Sequence, residues 1–388
     1  RAMTAQLLLN LIPSHLFDSI GIETNVDNQV KKLKGEIVFK LILFSMLDTD
    51  KLSLRVMETF LSSSKFLSQL QVDESVSSCK FNSIRDRICT IKASYFERLF
   101  EDIFKIYNSK LNEDKALSKV DSTCVSLAAK LLTNGMRNSK IDTDKRYLKY
   151  TVSLTGSLPS SFKIFTEQSY ISEDKAMGEL IDENNQFKGK TVVFDRGIQF
   201  RKSFEKFTTD DKYFITRSKI DIKYSSSTTK TIIPKPINST VTIMSDEIGY
   251  LYTGKHTKTK YPYRIIKAIV DASKEPICFV SNLLDEDAYV IAACYKQRWE
   301  IEIFFKFIKQ HLNVKHLVSR NENGMKVMLY MTTILAILII AYKKLNKISS
   351  IKIAKLKFEI ELENEIIKQI VILCGGNPKL APHLFNKT

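Results

Sequence analysis

The stretch Tyr295-Lys296-Gln297-Arg298-Trp299-Glu300-Ile301-Glu302-Ile303-Phe304-Phe305-Lys306-Phe307-Ile308-Lys309 constrains this chain more than any other. It contains no Pro and no Gly, and Ile301, Phe304, Phe305, Ile308 and Leu312 recur at helical spacing. The pattern predicts one long amphipathic helix from about Asp285 to about His311. At roughly 100° per residue, Tyr295, Arg298, Glu302 and Lys309 fall within about 60° of one another, beside the apolar face. One carboxylate, two cations and a phenol then line the edge where the helix meets its core. Such an edge suits metal-assisted phosphate chemistry, with the acid holding a cation and Arg, Lys and Tyr holding phosphate oxygens. Spacing alone also fits an ordinary helix with i,i+4 ion pairs on its solvated side.

The charge balance narrows the choice of partner. The 388 residues carry 59 Lys+Arg against 43 Asp+Glu, a formal net charge of +16, which suits a polyanion. The excess is local. From Arg1 to Lys119 the count is 17 against 15, whereas from Lys188 to Lys267 it is 17 against 7. We expect the second segment to contact DNA. Cys79, Cys89, Cys124, Cys278, Cys294 and Cys374 form no C-x2-C pair, which argues against a zinc site and for a reducing compartment. The five histidines are scattered too, and His311 and His316 read as surface or phosphate-facing groups rather than metal ligands. No secretory signal is expected. Val327 to Tyr342 is apolar but short for a span, which takes roughly 20 residues, so a buried helix is expected there.

Length predicts two or three domains. Residues 1 to about 110 read as helices, with Asp48-Thr49-Asp50 as a turn before Ser53–Leu61. Ser83 could cap a short helix bearing Arg85 and Arg87, compatible with a helix-turn-helix facing DNA. Ala93 to Leu111 is a further amphipathic helix. Strands are expected at Leu117–Val125, Tyr147–Leu154 and Ser161–Thr166, then a helix from Ser172 to about Glu183. A buried strand Thr191–Phe194, a helix Gln199–Phe207 and a strand Tyr213–Thr216 follow. This β-β-β-α-β-α-β order is that of an RNase H-like α/β fold: a mixed five-stranded sheet with helices. Ile220 to Leu284 reads as β-rich, and the chain beyond Leu312 as helical.

Two aspartates stand out in that order. Asp121 lies inside the first strand, where a carboxylate is costly unless it is paired or bound to metal. Asp195 ends a later strand, where a turn or helix cap is the ordinary role.

The pattern Y-x2-R-x3-E-x6-K, carried by Tyr295, Arg298, Glu302 and Lys309 with Trp299 after the Arg, resembles the signature of the DDE transposases of the IS-four family of insertion sequences. That family places its first Asp in such a strand and its second in an Asp-x-Gly motif after a hydrophobic strand. Val120-Asp121-Ser122-Thr123 and Phe194-Asp195-Arg196-Gly197 match those settings, although Ile198 stands where an aromatic residue is usual. The resemblance covers about Leu117 to Leu338 well and the N-terminal region more loosely.

It implies that Asp121, Asp195 and Glu302 are the catalytic carboxylates and hold two Mg2+ ions, with Mn2+ as a substitute. Tyr295, Arg298 and Lys309 would bind DNA phosphates, and Trp299 would pack behind the helix. The implied organisation is a helical DNA-binding region (1–112), an RNase H-like core in two parts (113–219 and 285–345), a β-strand insertion (220–284) and a C-terminal helical region (346–388). In some relatives the insertion holds a flipped base; Tyr250, Tyr252, Tyr261 and Tyr263 are possible substitutes here. The implied activity is cut-and-paste transposition: hydrolytic nicking at terminal inverted repeats, then strand transfer into target DNA. Double-stranded DNA is the expected partner, a homodimer the expected assembly on it, and a prokaryotic cytoplasm, at the nucleoid, the expected place, with no membrane involved. Two alternatives remain: a structure-specific nuclease of the same fold, and an inactive relic that only binds DNA.

Overall fold

The computed structural model describes residues 3–48, 52–64, 67–68, 74–127, 135–138, 142–312, 314, 319 and 321–382. Thr49 and Asp50 of the expected turn, His316 and His383 lie outside the described residues. The chain forms two compact units: one of Arg1–Glu113, Leu127–Asn134 and Lys306–Thr388, the other of Asp114–Ser126 and Gly135–Phe305.

The first unit is helical. It begins with α1 (Ala5–Leu9), α2 (Ser14–Thr24), α3 (Gly35–Asp48), α4 (Leu54–Leu61), α5 (Phe81–Thr90) and α6 (Ala93–Leu111). Ser53 caps α4 by accepting from Val56 N–H. Ser83 does not cap, contrary to expectation: it lies inside α5, whose N-cap position is Lys80. Arg87 also turns inward, donating to the backbone oxygens of Leu33 and Val26, so it offers no free cation to DNA. In α6, Tyr95, Phe96, Leu99, Phe100, Ile103 and Tyr107 form one buried stripe at three- and four-residue spacing.

The second unit is a mixed α/β structure built on one large mixed sheet. Its strands are β1 (Leu117–Ser126), β2 (Met136–Asn138), β3 (Asp142–Thr155), β4 (Leu158–Phe165), β5 (Thr191–Phe194), β6 (Tyr213–Ser218), β7 (Tyr224–Thr229), β8 (Val241–Leu251), β9 (Tyr263–Val270) and β10 (Pro276–Ser281). The order is β2-β3-β1-β5-β6-β10-β9-β8-β7, with β4 also paired to β3. β1, β5 and β6 run parallel, and the remaining pairings are antiparallel. The strands expected as an insertion thus continue the same sheet, joined to it where β10 pairs with β6.

Helices α7 (Glu173–Glu183), α8 (Arg201–Thr209), α9 (Ala288–Lys296) and α10 (Trp299–His311) accompany this sheet. Strand alternation assigns its faces. Val120, Val192, Phe194 and Phe214 pack with Met177, Leu180, Phe204 and Phe207 of α7 and α8. Leu117, Val193, Ile215 and Phe279 pack with Ala288, Tyr289, Ile291 and Ala292 of α9. Asp121 and Asp195 share the parity of Leu117 and Val193, and so belong to the face that α9 covers.

The boundary between the units falls within α10, after Phe305. The helical unit then closes with α11 (Glu322–Leu345) and α12 (Ile351–Leu373). α11 is long and apolar enough to cross a membrane, but 89% of its apolar window is buried within the protein. It is the central helix of its unit, apolar on every side because α3, α5, α6 and α12 surround it.

Candidate active site

The long helix expected from Asp285 to His311 is two helices. α9 begins at Ala288, after the N-cap Asp287, whose carboxylate accepts from Tyr289 N–H, and ends at Lys296; α10 begins at Trp299. Across the junction and into the start of α10, Gln297, Arg298, Glu300 and Ile301 donate backbone bonds to residues three positions back, a 3₁₀ tightening of the chain. No Pro or Gly marks this junction, so the apolar periodicity runs through it unbroken. Tyr295 therefore sits at the end of one helix, Arg298 in the turn, and Glu302 in the first turn of the next.

That turn gathers side chains from distant parts of the sequence. Tyr295 Oη donates to Asp195 Oδ1 at 3.2 Å. Arg298 Nη2 donates to Glu302 Oε1 at 2.5 Å, and its Nη1 stands 3.9 Å from Asp121 Oδ2. The guanidinium also lies over the Tyr295 ring, 5.8 Å from its centroid. Asp121, Asp195 and Glu302 are thus tied to Arg298 or Tyr295. Lys309 follows Glu302 by about two turns on α10 and belongs to the helical unit. Trp299 does not pack behind the helix as expected: it is 61% exposed. Of the four tyrosines considered for base holding, Tyr263 is fully buried, Tyr250 and Tyr261 are half-buried, and Tyr252 is exposed.

The electrostatics follow from burial. Desolvation pushes the Asp121 carboxyl up to about 6, against the pull of the Ser122 N–H bond; the Glu173 and Asp195 charges push it further and Arg298 pulls it back. Burial, then the Asp195 charge, pushes the Tyr295 phenol up to about 12. For Arg298 burial acts downward, but the Glu302 hydrogen bond and the charges around it together hold the guanidinium above its ordinary range. Its Nε is buried and unpartnered. An arginine with an orphaned donor, set between two carboxylates, keeps that donor available to a further acceptor.

The donor set suits a hard divalent cation: carboxylate oxygens, one of them desolvated, so that a cation beside it recovers the cost of its charge. Among the described residues, however, no three acidic, histidine or cysteine side chains converge closely enough to hold a metal ion. The Arg298 guanidinium is the cation that pairs with Asp121 and Glu302 in this arrangement.

Sequence reasoning missed Glu173, whose charge bears on Asp121, and the buried Lys119, which pairs with Glu300 at 2.9 Å beside the same turn. Lys119 carried a legible signal, a lysine two residues before Asp121 and so on the same strand face. Glu173 carried none, because only the packing of α7 brings it there.

Residues 117–339 match the family model described as Transposase DDE domain. The chain is 27% identical over 310 residues to a protein of Synechocystis sp. named as a transposase for insertion sequence element IS4SA, covering 74% of this chain and 82% of that one. It is 26% identical over 225 residues to a Geobacillus stearothermophilus protein named as a transposase for insertion sequence element IS5377, covering 58% and 56%. Among solved structures it resembles a chain of the piggyBac transposase synaptic complex with hairpin DNA, with TM-score 0.47 and 12% identity, over 100% of this chain and 85% of that one.

Proposed function

The chain belongs to the DDE-domain transposases, and from that premise we propose that this DNA transposase cuts at the terminal inverted repeats of an insertion sequence with Asp121, Asp195 and Glu302 as its catalytic carboxylates. The observation that carries the reading is the tie of Asp195 to Tyr295, and of Asp121 and Glu302 to Arg298, in one turn of the chain. The strand order β4-β3-β1-β5-β6, with β1, β5 and β6 parallel, supports an RNase H-like core. The spacing of Tyr295, Arg298, Glu302 and Lys309, which resembles the signature of the IS-four family, supports the same reading.

Asp121, Asp195 and Glu302 would hold two Mg2+ ions, or Mn2+ in their place. Bound there, such ions supply an activated nucleophile and stabilise the leaving 3′ oxygen. The protein's own groups do the rest. Arg298 leaves Glu302 for a phosphate oxygen, which frees that carboxylate and places the scissile strand. Tyr295 holds Asp195 in one orientation and presents its phenol to the same backbone, and Lys309 binds a phosphate further along. Cleavage and then strand transfer proceed without a covalent protein–DNA intermediate, in a cut-and-paste cycle. A homodimer acts on the two ends. Ile353, Leu356, Ile360, Ile367 and Ile370 support this: they follow one another at steps of three, four, seven and three residues on α12 and are more than two-fifths exposed, the spacing of a helix-pairing seam.

The test is a duplex carrying the element's terminal repeat, incubated with Mn2+ and run on a denaturing gel beside Glu302→Gln. Cutting at the repeat boundary by wild type alone is the expected result. Equal cutting by both sinks the assignment of Glu302, and binding without cutting by either leaves a DNA-binding relic.

A further inference from the structure

The first turn of α7 grips the turn that carries Asp195, although no motif of the family reading includes it. Asp174 Oδ1 accepts from the backbone N–H groups of Gln199, at 2.6 Å, and Phe200, at 3.0 Å. Phe200 is the N-cap position of α8 and offers no side-chain cap of its own. The N–H groups of the two residues that lead into α8 are therefore satisfied by a different helix. Beside this contact, α7 presses on Gly197. A Cβ there would lie 2.3 Å from Met177 Cε and 2.7 Å from Glu173 Oε2, so any larger residue would have to push both side-chain ends aside. Ile198, between the two contacts, is fully buried. Arg201, at the start of α8, has a buried and unpartnered Nη1, and the Asp174 charge is the first that offsets its burial.

A Ser, Thr or Asp at position 200 would cap the first turn of α8 locally. It would not tie the segment before α8 to α7 as Asp174 does; at the strand end of that segment Thr216 Oγ1 donates to Asp195 O. The two Asp174 bonds fix the other end.

We propose that Asp174 is a positioning residue for the transposition reaction: it clamps the Asp195–Phe200 turn to α7 so that the Asp195 carboxylate stays on Tyr295, with Glu173 against Gly197 completing the clamp. The proposal rests on the reading of Asp195 as a catalytic carboxylate. A carboxylate displaced by a fraction of an ångström loses rate without losing the DNA that other residues bind.

The test compares wild type, Asp174→Ala, Asp174→Asn and, as a control, Ser350→Ala, which removes the side-chain cap of α12 in the other unit. Four quantities are measured: kcat and KM for repeat-end cleavage, Mn2+ affinity by calorimetry, amide exchange at Gln199 and Phe200, and Tm. Asp174→Ala is expected to lower kcat roughly 10- to 100-fold with KM within about twofold, weaken Mn2+ binding and expose both amides. Asp174→Asn keeps the accepting Oδ1 and is expected to restore kcat and Mn2+ affinity. Ser350→Ala is expected to lower Tm alone. Unchanged Mn2+ affinity in Asp174→Ala with both amides exposed overturns the proposal, as does Asp174→Asn behaving like Asp174→Ala. If wild type itself does not cut, the functional reading fails, and Mn2+ affinity with amide exchange still decides whether Asp174 positions Asp195.

Discussion

Arg264 and Arg298 both meet carboxylates inside the α/β unit, and they do so in opposite ways. Arg264 and Asp246 are each only 2% exposed. Their pair is bidentate, through Nε to Oδ1 and Nη2 to Oδ2, and Nη1 is taken up by Leu284 O at 2.8 Å and Glu286 O at 2.7 Å. Arg264 thus joins β8 and β9 to the segment that leads into α9. Arg298 holds Glu302 through one nitrogen, approaches Asp121 through a second and leaves Nε without a partner. A guanidinium with its contacts filled has nowhere better to go, so Arg264 is architecture. One with contacts missing, beside carboxylates that prefer a stronger cation, is poised for ligand.

That contrast can be broken by mutation. Glu302→Gln is expected to lower cleavage on the order of 10³-fold or more while leaving the denaturation midpoint nearly unchanged, since Gln still accepts from Arg298. A large loss of stability would make Glu302 architecture too. Arg264→Ala is expected to cost about 3–5 kcal/mol by urea unfolding, because Asp246 is left buried and charged. Replacing both partners, Arg264→Met with Asp246→Leu, is expected to recover most of that loss, and failure to recover would mean that the backbone contacts of Arg264 carry the effect.

Asp121 sharpens the comparison through pH. Its carboxyl lies near 6 in the folded metal-free protein, above the ordinary aspartate value. The folded state therefore binds more protons than the unfolded state between pH about 4 and about 6, and stability falls as pH rises through that window. Asp121→Asn is expected to abolish this slope and to stabilise the metal-free protein at pH 7 by on the order of 1–3 kcal/mol, measured by urea unfolding at each pH. Saturating Mg2+ is expected to flatten the wild-type slope, since a bound cation favours the charged form. The smallest effect is expected at Trp299, where Trp299→Ala should change stability by no more than about 0.5 kcal/mol, because most of the side chain is already in water.

Local pattern was enough for much of this chain. The strand Thr191–Phe194 was legible to the residue and the helix Glu173–Glu183 to within one, because a short β-branched run makes the first and Ser172-Glu173-Asp174 opens the second. Asp121 and Asp195 were legible as unusual, since each is an acid inside or at the end of an apolar strand. β2 was not legible: three residues carry no period, and only its pairing with β3 makes them a strand.

Hydrophobic periodicity and the identities of the signature residues are properties of adjacent positions, so the sequence by itself determined the element types, the basic segment and the family resemblance. It could not determine where the signature helix breaks, because the 3₁₀ turn at Gln297–Arg298 has no breaker residue and follows from the contacts that Tyr295 and Arg298 make across the sheet. Nor could it determine that Glu173 and Asp174 grip the Asp195 turn, or that Arg264 is spent on architecture while Arg298 is not. Those distinctions depend on which donors find partners, and partners separated by 18 to 177 residues meet only when the tertiary structure has formed.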